Sequence, residues 1–352
     1  MGGFVWQTNI EKVTIKQTAR YFYRTHQNRQ YMELTIIIPV YNVENHLSRC
    51  LDSIFVGNNI DGEFEVIAVD DGSTDNSYGI LQEYACRYKQ LKIYHQENQG
   101  SSVARNKALD VATGKYIMFV DSDDFVEKDS INTILQEAIK TDIDILFYDF
   151  NRISEDGMKK RASCPNFEEN EIFTGEEYIL RDSEISSPWK SLYRRKLIND
   201  LKLRFYPGII HQDTEFLLRL FPFVRRIIYK KNVVYNYYNI GESATRTKSI
   251  EKEKKIVYSD FVIVTTIKAA CKNIPSKKIV EKYTKQMNSL LVSSIIILFR
   301  NNKKFDSDFK KTCINYTKSK GCYPIKGRTL SWKTTALIPI INQEWLLRIL
   351  LK

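Results

Sequence analysis

The chain has 352 residues, of which 43% are hydrophobic, 12% aromatic and 27% charged. This excludes extensive disorder, a collagen-like fibre and a disulfide scaffold, and it fits one large domain with an appendage, or two domains. The net charge of +11 is a property of the ends: residues 1–31 hold 5 basic and 1 acidic side chains, residues 248–352 hold 22 and 7, and residues 32–247 hold 26 and 34.

Taken in chain order, residues 1–31 are polar, basic and carry the aromatic run Tyr21, Phe22, Tyr23. They read as an upstream extension, because Met32 stands just before the first clear strand and no apolar signal-peptide core precedes it. LTIIIPV (34–40) is a continuous β-branched run, the pattern of a strand covered on both faces. Leu47, Leu51, Ile54 and Phe55 then fall at helical spacing from about Val43. A second buried strand follows at FEVIAVD (64–70), a helix from Asp75 carrying Ile80, Leu81 and Tyr84, a strand at LKIYH (91–95), a helix over 101–112 and a strand at KYIMFVD (115–121). IDILFYD (143–149) adds another strand, 151–184 reads as polar and loop-rich, and 187–238 holds mixed helical and strand-like pieces.

This alternation predicts an α/β fold: a Rossmann-like, mostly parallel sheet with helices on both faces, and a ligand site outside the carboxyl ends of the strands. Beyond a boundary near Arg246, residues 250–320 read as amphipathic helices rich in lysine. LLVSSIIILF (290–299) is too short to span a bilayer, which needs about 18 to 20 apolar residues, and reads as part of a buried helix. The six cysteines form no C-x-x-C pair and have no His cluster nearby, so a zinc site is not expected and a reducing compartment is the simpler reading.

Three strand ends present polar residues to one rim: Pro39-Val40-Tyr41-Asn42 after the first, Asp70-Asp71-Gly72-Ser73-Thr74-Asp75 after the second, and Asp121-Ser122-Asp123-Asp124 after the fourth. Each alone is ordinary turn or capping chemistry. Together they mark a site. Carboxylates packed into four residues repel one another unless a proton or cation intervenes, and aspartate oxygens suit Mg²⁺ or Mn²⁺ completed by substrate phosphates. An acidic helix N-terminus is the plainer alternative for this stretch.

The ordered set P-V-Y-N, V-D-D-G-S-T-D, Q-G-S-S-V-A-R-N (99–106) and F-V-D-S-D-D resembles family 2 glycosyltransferases with the GT-A fold, closely over about 34–125 and more loosely to Arg246. The resemblance implies a GT-A domain over 32–246, with a nucleotide-binding part at 34–125 and an acceptor part at 126–246, followed by a basic helical region at 247–352. It implies that Pro39, Tyr41, Glu44, Asp70 and Asp71 line the nucleoside pocket, with Arg105, Asp121 and Ser122 also on the donor and Asp123 as direct ligand of Mn²⁺ or Mg²⁺. Where the family carries an acidic pair opening a helix, this chain has His211-Gln212-Asp213-Thr214-Glu215-Phe216. Gln212 replaces the first acid, so the catalytic base falls on Asp213. A helix cap is the competing role for Asp213, and Glu215 falls on another helix face. Trp189, in P-W-K-S-L-Y-R-R, matches an element beside the acceptor site, and a core tryptophan reads equally well.

The implied reaction is inverting transfer of a sugar from a nucleotide-sugar, with UDP favoured by resemblance, to a glycan or lipid-linked hydroxyl. A catalytically degenerate binder of sugar nucleotides is the alternative, because of Gln212. A haloacid-dehalogenase-like phosphatase lacks support because no threonine follows the D-x-D, and a dinucleotide oxidoreductase because no G-x-G-x-x-G follows the first strand. The tail at 334–352 (TTALIPIINQEWLLRILLK) combines Trp345 and aliphatics with Arg348 and Lys352, which reads either as a helix lying on a membrane or as one docked on the protein's own core. With the basic final third, it leads us to expect a cytoplasmic protein, peripheral on the inner face of the cell membrane. Aromatic and basic residues do not alternate there as a nucleic-acid platform requires, so no nucleic-acid partner is expected.

Overall fold

The structure, a computed structural model, describes residues 32–154, 156–163, 167–181, 185–238, 249–300 and 304–350. The N-terminal extension and the boundary near Arg246 lie outside them. Strands β1 (Met32–Val40), β2 (Glu63–Asp70), β3 (Leu91–His95) and β4 (Tyr116–Phe119) alternate with helices α1 (Glu44–Phe55), α2 (Ser77–Arg87) and α3 (Ser101–Val111). The apolar runs are continuous because both faces of these strands are covered. Ile37, Ile67, Val69, Ile117 and Phe119 pack into one core with Ala104 and Ala108 of α3. Leu34, Ile36, Ile38, Val40, Val66, Ala68 and Met118 pack into a second core with Leu47, Leu51 and Leu81 of α1 and α2.

The register brings the strand ends level. β1 pairs in parallel with β2, placing Val40 opposite Asp70, and with β4, placing Ile37 opposite Phe119. Tyr41, Asp71 and the aspartates that follow β4 therefore leave the sheet at the same edge.

The later elements are β5 (Phe125–Val126), α4 (Ser130–Thr141), β6 (Ile145–Ile153), β7 (Lys159–Ala162), β8 (Ile172–Phe173), α5 (Gly175–Leu180), β9 (Ser191–Arg194), α6 (Arg195–Asp200), α7 (Gln212–Leu220) and β10 (Ile227–Tyr238). The sheet order is β3-β2-β1-β4-β9-β6-β10-β5, with β7 paired to β6 and β8 to β10. Parallel pairing stops at β4, because β9 enters antiparallel between β4 and β6; β6 and β10 are parallel to each other. The described residues of 151–184 hold more regular structure than the polarity of the segment predicts. β6 runs on into a hairpin with β7, turned at Gly157 with φ +81°, and α5 opens with a Thr174/Glu177 capping box. That T-x-x-E signal is present in the sequence.

Helices α8 (Ile250–Ala270), α9 (Lys277–Arg300), α10 (Ser307–Ser319), α11 (Trp332–Ile341) and α12 (Glu344–Leu350) form the C-terminal region. It is joined to the sheet domain by a shared core, in which Ile263, Tyr283 and Met287 meet Phe216 and Leu218 of α7. Hydrogen bonds across the junction include Tyr283 Oη to the Leu218 carbonyl at 3.1 Å, the Ile210 N–H to Ser259 Oγ at 2.9 Å and Lys282 Nζ to the Ile179 carbonyl at 2.6 Å. The apolar run within 290–299 lies in α9 with Leu291, Val292, Ile295 and Leu298 buried. Among the described residues no helix is long and apolar enough to cross a membrane.

Candidate active site

The loops after β1 and β2 lock together through side chains chosen for backbone hydrogen bonding. The Asn42 N–H donates to Ser73 Oγ at 3.1 Å and Asn42 Oδ1 accepts from the Thr74 N–H at 2.8 Å. Glu44 accepts from the Asn76 N–H at 2.8 Å, while its own N–H donates to Asp75 at 3.0 Å. Glu44 and Tyr41 stay exposed on this rim, and Pro39 is partly buried beneath it.

Asp70 and Asp71 lie deeper. Asp70 is fully buried, with Oδ2 2.7 Å from His95 Nδ1 and its carboxylate also accepting from the Ser73 N–H. Asp71 accepts from Gln96 Nε2 at 2.8 Å and from the N–H groups of Gln99 and Gly100 at 2.9 and 2.7 Å. Asp70 is committed to its own loop and to His95 at the end of β3, and Asp71 to the loop that follows β3. Between them Gly72 sits at φ +74°, where a Cβ would come within 2.9 Å of the Asn98 nitrogen, so the tight approach of these loops requires glycine.

The loop after β4 is built differently. Tyr235 of β10 accepts from the Asp121 N–H at 3.0 Å and donates to Asp124 Oδ2 at 2.8 Å, and the Tyr238 N–H donates to Asp124 Oδ1 at 2.7 Å. Burial, with the charges of Asp121 and Asp123, pushes the Asp124 carboxyl up to about 9, and the hydrogen bonds from Tyr238 and Tyr235 oppose the rise. Arg49 of α1 donates to the Asp123 carbonyl at 2.8 Å and stacks over Tyr238 and Phe125 at 4.2 and 4.8 Å. Arg49, Tyr235 and Tyr238 escaped the sequence reading, since nothing local marks a residue whose role is set by a loop about 70 to 115 residues away. Ser122 is buried in this loop.

Arg105 of α3, only 4% exposed, bridges two acids: Nη2 donates to Asp121 at 2.7 Å and Nη1 to Asp213 at 3.2 Å. Burial opposes its charge, but Asp213 and Asp121 raise its pKa above the ordinary arginine value. Its Nε is buried without a partner. Asp213 lies in the first turn of α7, where residue 211 takes the cap position in a left-handed conformation and no side chain caps the helix. The carboxylate thus serves Arg105 and not the helix end. Burial lifts the Asp213 carboxyl to about 6, with the charge of Asp121 adding to the rise and Arg105 opposing it.

Asp213 lines a cavity of about 590 Å³, together with Ser186, Ser187, His211, Gln212, Glu251, Lys252 and Lys255. Glu215 is excluded as a base, because it is fully buried and held by Arg219 at 2.7 Å. Trp189 takes the core position of its two readings. It stacks on Tyr235 and Tyr237 at 4.5 and 5.5 Å, and it is not in the cavity lining. It reaches the site only by supporting Tyr235.

A divalent cation fits this donor set. Burial and then the charge of Asp121 push the Asp123 carboxyl up to about 6, and among the described residues no side chain hydrogen bonds to it. A cation would relieve that repulsion. No cluster of three or more metal-ligating side chains exists among the described residues, so any ion would draw on one or two carboxylates and complete its shell from a ligand.

Comparison with known proteins shows the family and the fold. Residues 35–202 match the model of glycosyl transferase family 2. The chain is 30% identical over 275 residues to the putative glycosyltransferase EpsH of Bacillus subtilis, covering 75% of this chain and 76% of EpsH. It is 32% identical over 226 residues to the uncharacterized glycosyltransferase YibD of Escherichia coli, covering 61% of this chain but 63% of YibD, less than two thirds of that protein. Residues 1–349 of Staphylococcus aureus TarS, solved with UDP-GlcNAc, superpose with a TM-score of 0.61 at 20% identity, covering 82% of this chain and 88% of that one, which shows the shared fold.

Proposed function

We propose a reaction for this protein from one premise, that the chain belongs to glycosyl transferase family 2. The reaction is transfer of a sugar from a nucleotide-sugar to a hydroxyl of a glycan or lipid-linked acceptor, with inversion at the anomeric carbon. One observation carries it: a carboxyl raised to about 6 lines an open cavity and is tied through a buried arginine to the D-x-D aspartate. A base near the working pH is what deprotonation of a sugar hydroxyl requires.

Asp213 takes the acceptor's proton as the hydroxyl oxygen attacks the anomeric carbon from the face opposite the nucleotide. The bond from that carbon to the diphosphate oxygen breaks, its electron pair leaves with the diphosphate, and no covalent enzyme intermediate is formed. Arg105 keeps Asp213 ionised and aimed before the transfer and keeps Asp121 as a partner after it. Asp123, with Asp121, would hold Mn²⁺ or Mg²⁺, whose chemistry here is to neutralise charge on the departing diphosphate. Ser186, Ser187 and Gln212 on the cavity wall offer the hydrogen bonds that a polyhydroxylated acceptor needs.

UDP-sugars are the first donors to assay, since TarS was solved with UDP-GlcNAc. The test is product formation from a panel of radiolabelled nucleotide-sugars with Mn²⁺. Transfer is expected from one donor class, is lost with a chelator, and is lost in Asp213→Asn while donor-induced thermal stabilisation persists. Stabilisation without transfer in the unaltered chain, across a broad panel of acceptors, favours the degenerate binder. Stabilisation by dinucleotides instead of nucleotide-sugars rejects the assignment.

A further inference from the structure

We propose that the C-terminal end of the chain docks on an anionic membrane surface through the outer faces of α11 and α12 and the loop that leads into them. The inference does not depend on the reaction above. Among the described residues twelve large hydrophobic side chains are exposed, and five of them, Leu330, Trp332, Ile340, Trp345 and Ile349, fall within the last 23 residues. Trp332 is 76% exposed, more than any other of the twelve, and Trp345 is 58% exposed.

These side chains are organised by helical spacing. In α11, Trp332, Ala336, Pro339 and Ile340 follow at i, i+4, i+7 and i+8 and are all exposed, whereas Ile338 and Ile341 are buried. In α12, Trp345, Arg348 and Ile349 share a face at i, i+3 and i+4 and are exposed, whereas Leu347 is buried. The sequence left two readings open for this tail, and the helices are amphipathic in both senses: one side packs on the protein and the other offers a second apolar stripe. The packed side is firmly held. Tyr323 Oη donates to the Ile341 carbonyl at 2.7 Å, and Asn342 exchanges two hydrogen bonds with Ile325 at 2.8 and 2.9 Å. The outer stripe is therefore presented by a fixed scaffold.

Charge decides the occupant. Residues 318–352 carry seven basic side chains and one acidic one, and Lys326, Arg328, Lys333 and Arg348 are exposed beside the apolar stripe. Tryptophan and aliphatic groups flanked by cations are the pattern of a helix lying in the headgroup region, its apolar face in the acyl boundary and its cations on lipid phosphates. A second copy seated on the same face would set this positive charge against itself. A nucleic acid would satisfy the cations but leave Leu330, Ile340 and Ile349 without a role.

The test is co-sedimentation of the full chain with phosphatidylcholine vesicles and with vesicles containing about one third phosphatidylglycerol. Binding to the anionic vesicles is expected, with a blue shift of tryptophan emission and at least a tenfold loss of bound fraction in 0.5 M salt. Trp332→Ser with Trp345→Ser, and separately Lys326→Glu with Arg328→Glu and Lys333→Glu, should each reduce binding about tenfold and leave the circular dichroism and nucleotide-sugar thermal shift unchanged. Equal binding to neutral vesicles, no binding to either, binding indifferent to the tryptophan pair, or a dimer that the tryptophan pair dissolves would each overturn the proposal. So would binding of the basic end to polynucleotide in preference to anionic vesicles.

Discussion

Two acidic loops at the same edge of the sheet spend their carboxylates in opposite ways. After β2, Asp70 and Asp71 are buried and satisfied, accepting between them from Ser73, Gln96, Gln99 and Gly100 and facing His95. After β4 the acids are crowded: Asp121 shares one arginine with Asp213, Asp123 has no side-chain hydrogen bond among the described residues, and burial lifts Asp123 and Asp213 to about 6. The loop after β2 uses negative charge to hold itself and the loop after β3; the loop after β4 keeps it at an electrostatic cost that a ligand can relieve. Buried charge with complete hydrogen bonding is structural, whereas buried charge left partly unpaired marks where chemistry is done.

The largest effect that would sharpen this contrast is on catalysis. Asp213→Asn should lower kcat by roughly 10² to 10⁴-fold with donor affinity kept, measured by transfer kinetics beside calorimetric donor binding. If turnover survives, the base lies elsewhere and the two loops differ less than proposed. Next comes the loop after β2: Asp71→Ala removes the buried carboxylate that accepts from the Gln99 and Gly100 N–H groups, so unfolding should be easier by about 1 to 2 kcal/mol. Calorimetry should read a fall of roughly 1 to 3 °C in Tm.

The opposite sign is expected in the loop after β4. The folded-state pKa of Asp123 lies above its unfolded value of 3.8, so its ionised form is disfavoured by folding. That cost is present above about pH 6 and fades as pH falls towards the unfolded value. Asp123→Asn should therefore raise stability without metal by about 1 to 2 kcal/mol at pH 7.5, with the gain shrinking at pH 4.5. A loss of stability at both pH values would break the comparison. The smallest effect is a shift in a profile. kcat/KM should fall on the acid side with an inflection near 6, and Arg105→Gln, which removes the cation opposing Asp213 protonation, should move that inflection to higher pH by about one unit.

Much of the active edge is legible along the chain because its parts are local. The apolar runs of β1 and β2 announce strands covered on both faces, and Asp70, Asp71, Asp121 and Asp123 announce themselves by following strands. Gly72 could be read as a turn residue, although the Asn98 backbone that makes glycine necessary could not. Asp213 emerged from resemblance to an acidic motif whose first member is Gln212 here. Arg49, Tyr235 and Tyr238 carry no local signal, because each acts on a loop far away in sequence. Asp124 looked like one more acid of a cluster until the Tyr235 hydroxyl and the Tyr238 N–H claimed it.

The sequence by itself determined the alternating strands and helices, the rim where polar residues collect, and the basic, tryptophan-bearing tail, since each rests on periodicity or composition within a short window. Tertiary structure alone decided which carboxylates are satisfied and which are strained, that one buried arginine joins Asp121 to Asp213, that the sheet turns antiparallel at β9, and which face of the tail remains uncovered. Those outcomes depend on desolvation and on hydrogen-bond partners brought together from distant segments, and neither quantity exists until the chain has folded.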